Sequence, residues 1–223
     1  EQFGPACLSR LRGMFAFAVW NFRSCELFIA RDRIGKKPLY YAVADEGEFV
    51  FGSELKTLLA HGGICREVDP AAMDAFLALG YVPEEFCILK NVKKLLPGHY
   101  LTLSNGGVRT ERYWDLDLSE PDAGVSETEW CERFRETLRE AVKIRLISEV
   151  PLGAFLSGGA DSSAIVGTMS RLSDVPVKTF SIGFREDSYN ELEYARIAAK
   201  HFGTDHHEFI VTPDLFDLAG EVV

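Results

Sequence analysis

No run of apolar residues approaches the roughly 20 needed to cross a bilayer as a helix, so no membrane contact is expected. No basic stretch leads into an apolar one at the start, and an export leader is not expected either. Basic residues are in the minority: 24 Lys and Arg against 34 Asp and Glu leave a formal net charge of −10. A nucleic-acid surface needs a clustered basic face, so nucleic acid is not an expected partner. Cysteine is sparse. Cys7, Cys25, Cys65, Cys87 and Cys131 are scattered, odd in number and without a Cys-x-x-Cys pair, which points away from zinc and towards a reducing, cytoplasmic compartment. Two common nucleotide motifs are missing as well. The single Gly-Lys step, Gly35-Lys36, is followed by Lys37 and makes no Walker A, and no Gly-x-Gly-x-x-Gly occurs.

What remains is an ordinary globular composition, 47% hydrophobic and 26% charged over 223 residues, enough for one large domain or two modest ones. The stretches 14–20, 26–30, 37–43 and 49–51 are short, turn-bounded and rich in aromatics, which predicts antiparallel strands. Residues 55–60 and 70–79 predict helices, the second announced by Asp69 as N-cap and Pro70 at the first helical position. Asn105-Gly106 predicts a hairpin between 100–103 and 108–113. The charged turn Arg31-Asp32-Arg33-Ile34-Gly35-Lys36-Lys37-Pro38 is read as a solvated loop with internal ion pairs. An acidic stretch, 116–125, carries Pro121 and Gly124 and separates two textures, giving domains 1–115 and 116–223.

Ser126 opens the second part with a capping box, and Trp130, Phe134, Leu138, Ala141 and Val142 form the expected buried stripe of its helix. Elements then alternate: strand 150–156, helix 161–172, strand 178–184, helix 189–202, strand 206–211, and a helix from Pro213. That rhythm predicts an α/β unit with a parallel, right-handed sheet, whose ligands bind beyond the carboxyl ends of the strands. The neighbouring His206 and His207 would point to opposite faces of a strand and are read as structural.

The candidate site is Leu156-Ser157-Gly158-Gly159-Ala160-Asp161-Ser162, where a strand, a glycine turn and a helix start meet. Glycine lets the backbone turn sharply and approach a ligand. The first amides of the helix lack internal partners and lie at the positive end of its dipole, which suits a phosphate. A carboxylate beside a phosphate is repulsive unless a cation lies between them, which makes Asp161 a candidate magnesium ligand. The simpler alternative is that Asp161 is an N-cap and the glycines a tight turn.

The loop resembles the pyrophosphate loop of the ATP pyrophosphatases. Taken with Leu11–Trp20, Ala30–Tyr41, Phe51–Lys56, Leu95–Tyr100, Arg145–Ser163 and Lys178–Phe184, in that order, the chain resembles the glutamine-dependent asparagine synthetases. The resemblance implies an α+β part, the end of an αββα N-terminal-nucleophile amidohydrolase domain. It also implies an α/β part, the start of a Rossmann-like ATP-pyrophosphatase domain. Carried over residue by residue, it places ATP on Leu156, Ser157, Gly158, Gly159, Asp161 and Ser162, with Mg²⁺ on Asp161 and adenine at the backbone of Ile182. ATP would adenylate a carboxylate, aspartate in asparagine synthesis, and ammonia from glutamine would displace AMP. The resemblance puts the nucleophilic cysteine of the glutaminase upstream of Glu1, so no catalytic residue is assigned here, and it allows a homodimer of a full-length protein. Ala160 replaces a bulkier aliphatic residue usual in the loop. Other readings are an amidotransferase acting on another carboxylate (polysaccharide- or exosortase-associated relatives exist), an inactive nucleotide-binding module, and a tRNA-modifying or NAD-forming ligase. The β-rich first half disfavours the last.

Overall fold

Strand β1 (Ala16–Asn21) turns back through Asn21, whose side-chain oxygen accepts from the Arg23 amide at 3.0 Å, into β2 (Glu26–Arg31). The computed structural model describes residues 2–105, 107–118, 124–184 and 191–211, and its chain divides into two units, Glu1–Ser119 and Glu120–Val223. In the first unit β3 (Tyr40–Val43) pairs antiparallel with both β4 (Phe49–Gly52) and β5 (Val92–Lys94). A second antiparallel sheet runs β1-β2-β6-β7, with β6 (His99–Ser104) and β7 (Gly107–Arg112) joined as the expected hairpin. The three-residue β5 holds one apolar residue between loops, too little for an alternation signal to reveal it.

The two sheets share one core: Ile29 and Leu101 from one meet Leu39 and Leu95, with Tyr41, Phe49 and Phe51 packed against them. The opposite face of β3 and β5 buries Ala42 and Val92 against Leu58 of α1 (Leu55–Leu59). Sheet, sheet and helix are thus stacked in that order. Each fully buried leucine or isoleucine contributes about 1.5–3 kcal/mol to this arrangement. Helix α2 (Pro70–Leu79) begins at Asp69, whose carboxylate accepts from the Ala71 amide at 2.8 Å, and ends at Gly80 with φ of 78°.

The charged turn after β2 is solvated only in part: Ile34, Lys36, Lys37 and Pro38 are exposed, but its first two ions are not. Arg31 is 3% and Asp32 0% exposed. The Arg31 guanidinium reaches Glu84 at 2.7 Å, outside the turn, and also donates to the carbonyls of Lys37, Gly35 and Leu95. Asp32 accepts from the amides of Lys36 and Lys37, both at 2.9 Å, and of Phe15 at 3.3 Å. These ions are used to satisfy main-chain groups that would otherwise be buried unpaired, which a count of charges along the sequence does not register.

In the second unit α3 (Glu127–Lys143) starts at Ser126, whose hydroxyl accepts from the Glu129 amide at 3.2 Å. Strands β8 (Gly153–Phe155), β9 (Lys178–Gly183) and β10 (Asp205–Ile210) form a parallel sheet in the order β10-β9-β8, interleaved with α4 (Ala160–Leu172) and α5 (Leu192–Phe202). The strand expected over 150–156 is shorter because its pairing with β9 covers Gly153–Phe155 alone. The beginning of the helix expected at 189 and the helix from Pro213 lie outside the described residues. The stripe expected on α3 is buried at Val142, which packs with Met169 and Val177, whereas Trp130 and Phe134 are exposed. Those two rings instead line an open groove of about 620 Å³ with Gly167 and Phe202, where small residues on α4 leave room. No described helix is long and apolar enough to cross a membrane.

The buried carboxylate gives a test. Burial raises the Asp32 pKa, but hydrogen bonds from the Lys37, Lys36, Phe15 and Ile34 amides outweigh that and hold it below the ordinary carboxylate value. A lowered folded pKa means that the stabilisation is complete above the unfolded value and is lost as pH falls through the folded one. Asp32→Asn turns one accepting oxygen into a donor facing amides and is expected to cost roughly 2–3 kcal/mol at neutral pH. Urea unfolding from pH 7 down to pH 3 should show the gap between wild type and variant narrowing as the pH drops; a gap independent of pH would contradict the assignment.

Candidate functional site

At the carboxyl end of β8 the chain leaves the sheet through Leu156, and both main-chain groups of that residue are held by β9. Its amide donates to the Phe180 carbonyl at 2.9 Å, and its carbonyl accepts from the Ser181 hydroxyl. The Leu156 side chain is 1% exposed and packs with Val166 of α4 and Ala195 and Ala199 of α5. Two residues further on, the backbone turns at Gly158, with φ of 82°. A Cβ there would run into the Tyr194 main chain and come within 2.6 Å of the Ala195 nitrogen, so glycine is required by conformation and by space together.

Two serines close the loop on itself. The Ser157 and Ser162 hydroxyls lie 3.0 Å apart, Ser157 Oγ accepts from the Gly159 amide at 3.3 Å, and Ser162 Oγ accepts from the Ser157 amide at 3.3 Å. Gly159 is the N-cap of α4 and supplies no side-chain cap, so the first-turn amides of Ala160, Asp161 and Ser162 keep no intrahelical partner. The role of N-cap therefore does not fall to Asp161. It is the second residue of the helix, exposed, with no hydrogen bond to its own turn among the described residues.

Of the residues singled out from sequence, Leu156, Ser157 and Ile182 line one cleft of about 140 Å³ at the carboxyl ends of β8 and β9. Gly158, Gly159, Asp161 and Ser162 form the loop and first helical turn that follow it, without lining the cleft itself. Sequence reasoning passed over Ser181 and Glu191, which also line it. The alternation in β9 could have exposed Ser181, because Thr179 and Ser181 put hydroxyls at inward positions where an apolar residue would be ordinary. On β10, His206 and His207 do face opposite ways. His206 Nδ1 lies 2.9 Å from the Thr179 hydroxyl, while His207 stacks on Phe180 at 5.5 Å.

Together the units define a class, an antiparallel α+β part followed by a parallel α/β part with a glycine loop at a strand end. The family model described as glutamine amidotransferase domain matches residues 1–114, and the one described as asparagine synthase matches residues 133–223. The chain belongs to the glutamine-hydrolysing asparagine synthetase family. It is 38% identical, over 94% of its length and 41% of the relative's, to a Methanocaldococcus jannaschii protein provisionally named asparagine synthetase [glutamine-hydrolyzing] 2. It is 35% identical to asparagine synthetase [glutamine-hydrolyzing] 3 of Bacillus subtilis, covering 97% of this chain and 38% of that one. A third relative, amidase chyE of Penicillium rubens, is 37% identical over 93% of this chain and 33% of its own. The chain thus spans about two fifths of the length of the first two relatives.

The Gly158 geometry makes a stability prediction. Gly158→Ala must shift the loop off the α5 backbone and should destabilise the protein by roughly 2–4 kcal/mol. Gly159→Ala, at an extended φ of −68° with its nearest neighbour the Ser157 hydroxyl at 3.4 Å, should cost far less. Denaturant midpoints of the two variants check this, and equal midpoints would remove the steric argument.

Proposed function

We propose that this chain is part of a glutamine-dependent, AMP-forming carbon–nitrogen ligase that amidates a carboxylate, aspartate in the first instance. Residues 1–115 act as part of the glutaminase that releases ammonia from glutamine, within an αββα N-terminal-nucleophile fold. Residues 116–223 begin a Rossmann-like ATP-pyrophosphatase domain, in a cytoplasmic enzyme. The observation that carries the reading is the loop after β8, where three first-turn amides of α4 stand open beside two serine hydroxyls and a glycine that cannot carry a side chain. That donor set fits the β- and γ-phosphates of ATP, whose oxygens are acceptors with negative charge. The chain's own part is to hold those oxygens with preorganised donors, so that charge developing on departing pyrophosphate meets dipoles already in place.

Asp161 presents its carboxylate from the first turn of α4, beside the phosphate donors. There it suits Mg²⁺, a hard cation that takes a carboxylate and phosphate oxygens together and would neutralise charge on the leaving group. Leu156 and Ile182 bound the cleft next to the loop, which supports a nucleoside site at the ends of β8 and β9. A second reading, amidation of a different carboxylate by the same site, is favoured by the likeness to amidase chyE at 37% identity.

In the full-length protein Asp161→Asn is expected to lower amide synthesis at least a hundredfold, with glutamine hydrolysis, carried out in the other domain, within about twofold of wild type. Chromatography of the nucleotide products should give AMP and pyrophosphate in step with the amide. ADP and inorganic phosphate would overturn the reading, and a panel of carboxylates in the same assay separates aspartate from its competitors.

A further inference from the structure

Ser181 is 5% exposed in the middle of β9, and its hydroxyl spends its hydrogen on the carbonyl of Leu156. The position of that carbonyl gives the contact its meaning. Phe180 bonds across to β8 by accepting from the Leu156 amide at 2.9 Å. In a parallel ladder the groups of alternate residues point to the same neighbour, so those of Ile182 point to β8 as well. Gly183, in the other set, accepts from Val211 beyond the end of β10 at 2.9 Å. The next rung of the ladder would therefore run from the Ile182 amide to the Leu156 carbonyl. Among the described residues no such bond is made, and the Ser181 hydroxyl takes its place. The ladder stops one rung early, and the main-chain groups of Ile182 are left at the wall of the cleft.

The same contact fixes the loop. A trans peptide points its C=O and the following N–H in opposite directions. With the Leu156 carbonyl held by Ser181, the Ser157 amide must point the other way, where it meets Ser162 Oγ at 3.3 Å. The orientation of one peptide plane thus sets the serine pair and, through Ser157 Oγ, the Gly159 amide at the start of α4.

We propose that Ser181 is a positioning residue for the nucleotide: by capping the Leu156 carbonyl it orients the serine loop and keeps the Ile182 amide and carbonyl free to meet the edge of a purine base. This rests on the nucleotide assignment made above for the same cleft. Removing the hydroxyl lets the missing rung form. The Ile182 amide then bonds to Leu156, and the cleft loses its main-chain donor.

Two readouts test it in the full-length protein, one without ligand. In the ligand-free protein, hydrogen exchange over peptides covering residues 178–184 should show the Ile182 amide slowing at least tenfold in Ser181→Ala. A merely loosened structure would speed exchange there instead. In steady-state synthesis the same variant should raise KM for Mg·ATP about tenfold with kcat within twofold and glutamine hydrolysis unchanged, the pattern of lost uniform binding. Ser181→Thr and Ser181→Val have the same shape and differ in the hydroxyl, so Thr should follow wild type and Val should follow Ala, whatever volume alone does to folding. Exchange at Ile182 that is unchanged or faster in Ala and Val, or equal KM in Thr and Val, overturns the role of Ser181. Failure of the wild type to bind Mg·ATP overturns the nucleotide assignment and with it the proposal, while the exchange result still reports whether Ser181 controls the rung.

Discussion

A strand that leaves a buried sheet must find partners for the main-chain groups it no longer pairs, and each group left without one costs roughly 1–3 kcal/mol. Both units of this chain meet that constraint immediately after a central turn, and they meet it in opposite ways. After β2, the Asp32 carboxylate gathers the amides of Phe15, Lys36 and Lys37, and the Arg31 guanidinium gathers the carbonyls of Gly35, Lys37 and Leu95. The main-chain groups of that turn are taken up by its own two buried ions, and its lysine side chains are left to solvent. After β8, partners are found for Leu156 and Ser157, and the amides of Ala160, Asp161 and Ser162 are then presented open at the start of a helix.

The contrast separates scaffold from site more sharply than charge does. The turn after β2 is the most charged stretch of the first unit, yet its ions hold the two sheets and the segment around Glu84 together. Tyr113 adds to this by donating its hydroxyl to the Arg31 carbonyl at 2.8 Å, tying the end of the unit to the same point. The loop after β8 carries a single carboxylate, and its useful polarity comes from backbone and hydroxyl groups. Open donors at the end of a strand are available to a ligand; satisfied ones are not.

Much of this was legible from the residues. The strands with alternating aromatics, the helix beginning at Asp69-Pro70, the N-cap at Ser126 and the alternation of strands and helices after it are all present at nearly the expected places. They are local signals, carried by periodicity and by caps. The departures have non-local causes. The charge pattern of Arg31 and Asp32 resembles that of a solvated turn, and burial depends on Glu84 and Leu95, more than fifty residues away. The apolar spacing of α3 shows which face is apolar without showing how far a neighbouring helix extends along it, so Trp130 and Phe134 stay exposed while Val142 is covered. In the site, the glycines and serines could be named from sequence, but Ser181 could not be tied to them, because its contact with Leu156 joins residues 25 apart through the pairing of two strands.

The position of α5 is the last link between packing and chemistry. The helix lies so close to Gly158 that its own backbone, at Tyr194 and Ala195, occupies the place of a side chain. Such an approach needs small residues where the helix meets β8 and α4, and Ala195 and Ala199 are the buried α5 residues in that cluster with Leu156 and Val166. A larger residue at either position would push α5 outward, and the loop would lose the surface that holds its left-handed turn. The geometry of the loop donors is therefore set from three sides: by Ser181 beneath the Leu156 carbonyl, by Ser162 at the start of α4, and by the α5 backbone against Gly158. Only the middle one belongs to the loop motif itself; the other two come from elements that the motif does not contain, so a sequence could keep all the loop residues and still lose the site through a change at Ala195 or Ser181.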